Sequence, residues 1–138
     1  MTPEEFERIA ADSFGRVPER FRARIKNVAL LVEDRPDEET RKEEGLADDE
    51  TLLGLYRGVP QTARGDFYSG VLPDTITLYR LPLLEEAEEV SRETGRPFPE
   101  CVREAVEETV WHEVAHYFGM DEPEVDERER ERTNRFKP

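Results

Sequence analysis

Both histidines of this 138-residue chain fall in one short stretch, Trp111-His112-Glu113-Val114-Ala115-His116-Tyr117-Phe118-Gly119-Met120-Asp121-Glu122. Residues at i and i+4 of an α-helix share a face, with Cβ atoms roughly 5–6 Å apart. His112 and His116 have that spacing, so each imidazole can offer a nitrogen to one metal ion at about 2.0–2.1 Å. Glu113 is turned about 100° from His112 around the helix. Its carboxylate is then aimed beside such an ion, where it can take a proton from a metal-bound water. This is the H-E-x-x-H logic of zinc hydrolases.

The pattern continues past His116. Gly119 can take a positive φ and end the helix in a left-handed turn. Glu122 precedes Pro123 and is biased toward extended backbone. The chain can therefore turn back and bring a carboxylate to the place of a third ligand, since hydrolytic zinc sites hold the metal with three protein ligands and one water. Glu122 has the best offset for that role. Asp121 is the second choice, and Glu124 and Asp126 are also near. The opposing interpretation makes His112 and His116 ordinary structural histidines beside solvated acids. Against it stands the register of the only two histidines in the chain.

The element that must position these groups is a long helix over residues 97–118. Val102, Ala105, Val106 and Val110 lie on one side, with Glu100, Arg103, Glu104, Glu107 and Glu108 mostly opposite. His112, Glu113 and His116 continue the apolar stripe, and Trp111, Val114, Ala115 and Phe118 fill the remaining sides. A helix that is apolar nearly all round is a buried one. Imidazoles and a carboxylate in such a setting need partners, and a metal ion supplies one.

The rest of the chain supplies scaffold. Thr2–Phe14 reads as a helix with Thr2 as N-cap, Pro3 at the first position and Glu5 completing a capping box. Phe6, Ile9, Ala10 and Phe14 form its apolar stripe. Pro18–Ile25 adds a short helix packed through Phe21 and Ile25. Asn27–Glu33 is a continuous aliphatic run, the mark of a buried strand. Asp34–Glu50 is almost wholly charged and reads as an exposed loop anchored at Leu46. Thr51–Arg57 is a second strand, followed by a loop punctuated by Gly58, Pro60, Gly65 and Gly70. Thr75–Arg80 alternates apolar and polar residues, as a strand buried on one face does. That predicts a sheet edge, to which an extended peptide can add as another strand. Pro82–Glu93 reads as a helix ending near Gly95, and Asp126–Arg132 as a solvated helix with alternating charges.

Bulk properties narrow the function further. A chain of this length is one domain, residues 1–138, with a single core. Charged residues make up 39% and the net charge is −14. Such a surface repels phosphate backbones and anionic lipid, so neither nucleic acid nor membrane is an expected partner. No apolar segment is long enough to span a bilayer. Acids in the first fourteen residues (Glu4, Glu5, Glu7 and Asp12) argue against a signal peptide. The lone Cys101 excludes an intrachain disulfide and suits a reducing cytoplasm. The high charge, with Arg far above Lys, points to a thermophile source.

Most of the chain resembles the small bacterial minimal zincin family, described as zinc metallopeptidases. The resemblance is carried by Asn27-Val28, by Leu53-Gly54-Leu55-Tyr56 with Gly58 and Pro60, and by Leu72-Pro73-Asp74 leading into Ile76-Thr77-Leu78-Tyr79-Arg80. It ends in His112-Glu113-Val114-Ala115-His116-Tyr117-Phe118-Gly119. It implies an α/β (α+β) fold in which a small mixed sheet, with flanking helices, lines the cleft by its edge strand beside an active-site helix. It also implies His112 and His116 as zinc ligands, Glu113 as general base and Glu122 as third ligand. The metzincins differ in two respects: their third ligand is His, and a methionine turn follows. Here Met1 and Met120 are the only methionines.

The expected activity is zinc-dependent hydrolysis of peptide bonds, with a peptide or protein as substrate. The alternative is a non-catalytic zinc module acting through a protein partner, and a nuclease is disfavoured by the charge. For an oxyanion stabiliser the candidates are Tyr117, Tyr56, Tyr68, Tyr79 and Arg80.

Overall fold

The computed structural model describes residues 1–25, 27–58 and 74–119. Five helices and three strands follow in the order α1 (Pro3–Gly15), α2 (Glu19–Arg22), β1 (Val28–Glu33), α3 (Glu38–Glu43), β2 (Gly54–Arg57), β3 (Asp74–Tyr79), α4 (Arg80–Thr94) and α5 (Phe98–Tyr117). This is a mixed α/β architecture around one small sheet. Among the described residues no helix is long and apolar enough to cross a membrane.

Helix α1 forms as its sequence dictates. The Thr2 side chain accepts from the Glu5 amide at 3.2 Å, and the Glu5 carboxylate accepts from the Thr2 amide at 3.3 Å. Phe6 and Ala10 are buried on its inner face. The short α2 follows, and Phe21 sets its ring edge-on against Trp111 of α5 at 5.6 Å.

The sheet has the order β1-β3-β2, with β1 parallel and β2 antiparallel to β3. Two expectations are overturned here. Thr75–Arg80 was expected at an edge, but β3 is the central strand and nearly all of it is buried. The aliphatic run of β1 was expected to be a buried strand, but among the described residues β1 lies at the sheet edge, and its Leu31 is 42% exposed.

The second buried face of β3 is accounted for by Asp34–Glu50. That segment is not simply an exposed loop: it contains α3, capped by the Asp37 side chain, which accepts from the Thr40 amide at 2.8 Å. Thr40 and Pro36 are buried. The Arg57 guanidinium of β2 donates to the Thr40 hydroxyl at 2.7 Å and to Glu43 at 3.1 Å. Tyr79 is buried in the same surroundings, with Glu33, Asp37, Thr40 and Arg57 acting on its hydroxyl. The second face of the sheet is thus closed by polar residues, which no hydropathy pattern marks. The Asp37 carboxyl sits below its ordinary pKa, chiefly because it accepts from the Thr40 amide.

The main core lies on the opposite face. Ile76 and Leu78 of β3 meet Phe6, Leu83, Val102, Val106, Val110 and Val114, all fully buried. β3 runs straight into α4, whose N-cap is Tyr79. Pro82 occupies the first turn of α4, where a missing N–H costs no intrahelical bond. Gly95 ends α4 in the left-handed region, at φ 73°. Helices α4 and α5 then pack side by side over the sheet.

Candidate metal centre

Helix α5 is 20 residues long, about 30 Å at 1.5 Å per residue. Val102, Val106, Val110 and Val114 recur at four-residue spacing and are all at 0% exposure. That valine row presses α5 onto the sheet and α1 and fixes its rotation. The rotation in turn decides where the last two turns present their polar groups. Glu113 is buried at 7% exposure, while His112 and His116 are half-buried. The helix ends at Phe118, and Gly119 adopts φ 79°. Its amide donates to the His116 carbonyl at 2.9 Å. A side chain at that φ would be strained, so glycine suits the exit from the helix.

The imidazole rings of His112 and His116 lie 4.9 Å apart between centroids, inclined at 60°. Donor atoms of His112, Glu113 and His116 all lie within 4.8 Å of one another, a grouping that could hold a metal ion. The chemistry of the set suits zinc: two neutral imidazoles with a carboxylate alongside match its preference for N and O ligands. A buried carboxylate is costly without compensation, and a cation between these groups provides it.

The surroundings of Glu113 were not anticipated. Strand β2, at the sheet edge among the described residues, crosses α5 here, and Gly54 is the point of contact. A Cβ on Gly54 would stand 2.7 Å from Cγ2 of Thr109, 3.2 Å from the Thr77 carbonyl oxygen and 3.4 Å from Cγ of Glu113. The lack of a side chain lets the β2 backbone lie directly against the acid. The signal in the sequence was a glycine inside a strand pattern, which marks close backbone approach. Thr109, one turn before Glu113, is held by its hydroxyl, which donates to the Ala105 carbonyl at 2.8 Å.

Four of the candidates for oxyanion stabiliser lie among the described residues, and each has neighbours of its own. Tyr117 is buried at 1% exposure, edge-on to Tyr56, and its hydroxyl donates to the Arg24 carbonyl at 3.4 Å. The Tyr56 hydroxyl donates to Asp74 at 2.7 Å. Tyr79 belongs to the α3 face, and Arg80 pairs with Asp34 at 2.9 Å. Tyr68, the acids Asp121, Glu122, Glu124 and Asp126, and the helix expected over Asp126–Arg132 lie outside the described residues.

Beside the histidines opens a cavity of about 360 Å³, whose lining includes both His112 and Glu113. Two members of the metal-competent group, half-buried His112 and buried Glu113, thus face open space. The zincin-like metallopeptidase family matches residues 25–132. The chain belongs to this family. The match begins just before β1 and runs beyond α5, so it takes in the sheet, the metal-competent triad and Glu122. No curated protein matches the chain. Membership in the zincin-like metallopeptidases implies a metal cofactor, typically zinc, and a peptide substrate.

Proposed function

We propose that this zincin-like chain is a zinc-dependent peptidase in which His112 and His116 hold the metal, Glu122 is the third protein ligand and Glu113 is the general base. The observation that carries the proposal is the convergence of His112, Glu113 and His116 within 4.8 Å on a helix that lines a cavity. Zinc, when bound, supplies Lewis acidity: it polarises a carbonyl and makes water a competent nucleophile near neutral pH.

Glu113 accepts a proton from the attacking water as the new C–O bond forms. It passes that proton to the leaving amine as the C–N bond breaks. Its burial limits the carboxylate to few orientations, and the contact with Gly54 and Thr109 narrows them further. Among the described residues β2 pairs only with β3, so its outer edge suits backbone pairing with an extended substrate beside Glu113.

The test begins with elemental analysis of protein purified without added metal. The expected result is about one zinc per chain, lost in His116→Ala, because one ligand of a three-ligand site is removed. Glu113→Gln is expected to keep the zinc and lose cleavage of a peptide library. Glu122→Ala is expected to weaken zinc binding, and Asp121→Ala to leave it unchanged. Cleavage undiminished in Glu113→Gln would remove that residue from the mechanism. Zinc retained without cleavage by the wild-type chain would leave a non-catalytic module acting through a protein partner.

A further inference from the structure

The cavity beside the triad continues away from it. From Glu113 back through Thr109 and Ala105 to Cys101, α5 forms one wall, a run of about 18 Å at 1.5 Å per residue. Leu52 and Leu53, which lead into β2, and Val90 of α4 stand in the other walls. Leu52, Leu53, Val90 and Ala105 are only half-buried, so part of their apolar surface still meets water. Covering such surface is favourable.

The polar groups of the lining are largely committed. Arg96 donates to Glu104 at 2.5 Å and to Glu100 at 3.2 Å, and Glu108 has a partner as well. The Thr109 hydroxyl donates to the Ala105 carbonyl, and its methyl group lies toward Gly54. Cys101 is a buried free thiol, which packs as a small hydrophobe. Glu86 is exposed to solvent. An ionised side chain entering between these walls loses hydration. An apolar one removes from water both its own surface and that of Leu52, Leu53 and Val90. The volume of about 360 Å³ has room for a large side chain with adjoining backbone, within the roughly 300–1,000 Å³ of small-ligand pockets. His112 and Glu113 belong to the same lining, so a peptide under attack at the triad has this space directly beside it.

We infer that the cavity between α4, α5 and residues 51–54 is a subsite for a long apolar residue of the substrate, such as Leu, Met or Phe, near the scissile bond. The inference rests on the peptidase reading and adds a substrate class to it. Ala105 sets the size limit: it stands midway along the α5 wall, and a longer side chain there closes the space. Leu52 supplies apolar surface from the β2 side. Neither belongs to the proposed zinc ligands.

The experiment is an NMR titration of the full chain, with and without zinc, with three capped pentapeptides Ac-Ala-Ala-X-Ala-Ala-amide in which X is norleucine, alanine or lysine. It is run at about 0.15 M salt, where long-range attraction of cations is screened beyond about 8 Å. The norleucine peptide is expected to bind roughly tenfold more tightly than the alanine peptide, the equivalent of about 1.4 kcal/mol, and more tightly than the lysine peptide. The amides of Leu53, Ala105 and Thr109 should shift. Ala105→Leu fills the space, and Leu52→Ser removes apolar wall without filling it. Each is expected to bring the norleucine and alanine peptides to within about twofold of one another, with wild-type zinc content and a folded spectrum. Equal binding of those two peptides by the wild-type chain overturns the inference. So does a lysine peptide that binds as tightly as the norleucine peptide, or a norleucine preference that survives undiminished in either variant. A library digestion by the zinc-loaded wild-type chain separates this inference from the peptidase reading. Cleavage with no enrichment of apolar residues beside the cut overturns the subsite and leaves the peptidase standing. A norleucine preference in binding without any cleavage supports the subsite and counts against the peptidase.

Discussion

On the face of the sheet toward α5, Ile76 and Leu78 are fully buried among valines and leucines. On the other face, Tyr79 is covered by Thr40 of α3, and the same threonine hydroxyl accepts from Arg57. The first face is closed by apolar volume and the second by hydrogen bonds around one aromatic ring. Only the first reaches the metal-competent triad. Packing of α5 against β3 and β2 therefore does two things at once: it stabilises the fold and it aims Glu113. The α3 face can be altered without touching the site.

Leu78→Ala should break the comparison most strongly. The side chain is wholly enclosed, so its truncation should cost about 2–5 kcal/mol in urea unfolding. The matching change on the neighbouring strand is Leu31→Ala, at a side chain that is 42% exposed. It should stay within about 0.5 kcal/mol of wild type. Similar losses in the two variants would show that the faces are equally packed.

Gly54→Ala comes next and separates stability from aim. The new methyl meets Thr109 Cγ2 at 2.7 Å and the Thr77 carbonyl at 3.2 Å. Relief requires β2 to move away from α5, for about 1–3 kcal/mol. Because Glu113 lies in the same contact, peptidase activity should fall further than the loss of stability explains, with zinc content unchanged. Adding Thr109→Ser removes the clashing methyl, keeps the hydroxyl for the Ala105 carbonyl and should restore part of both. Full activity in Gly54→Ala would show that β2 does not position the acid.

The same contrast explains what could be read from the chain before any coordinates. Thr2, Pro3 and Glu5 made α1 legible because a capping box is local chemistry. The valine row and the two histidines made α5 and its polar end legible because four-residue periodicity is a local property as well. The places of β1 and β3 were not legible. Alternation in Thr75–Arg80 signals one buried face only if nothing polar covers the other. Here Thr77 and Tyr79 are buried on the second face, and α3 provides cover through Thr40 and Pro36 in a stretch otherwise full of charge. The aliphatic run of β1 read as a buried strand, yet strand order, which leaves it partly exposed, is a non-local property that composition does not encode. For the site, the helix-borne residues were legible from spacing. The approach of Gly54 to Glu113 required knowing that β2 crosses α5. The Arg96–Glu104 pairing joins the α4–α5 turn to a position two turns along α5. Its individual residues look like any other surface charges.

Tyr79 offers the finest test of the polar face. Burial, ahead of the nearby Glu33 carboxylate, raises the pKa of its hydroxyl above the ordinary value of 10.0. A group whose pKa is higher folded than unfolded favours the fold while both states are protonated. Its contribution is therefore complete below about pH 10 and declines as pH rises from there through the folded-state pKa. Tyr79→Phe keeps the ring and removes both the hydroxyl and the titration. At pH 7 the variant should lose up to about 1.5 kcal/mol, the upper net value of a hydrogen bond made by a buried hydroxyl. Above pH 10 the gap between wild type and variant should narrow and then reverse, because only the wild type must either ionise a buried phenol or unfold. Urea midpoints measured at pH 7, 9, 10 and 11 read the gap directly. A gap that stays constant across this range would mean that the hydroxyl is hydrated in the folded chain. The α3 cover would then be a loose lid over the ring rather than the closed polar layer that distinguishes this face from the one facing α5.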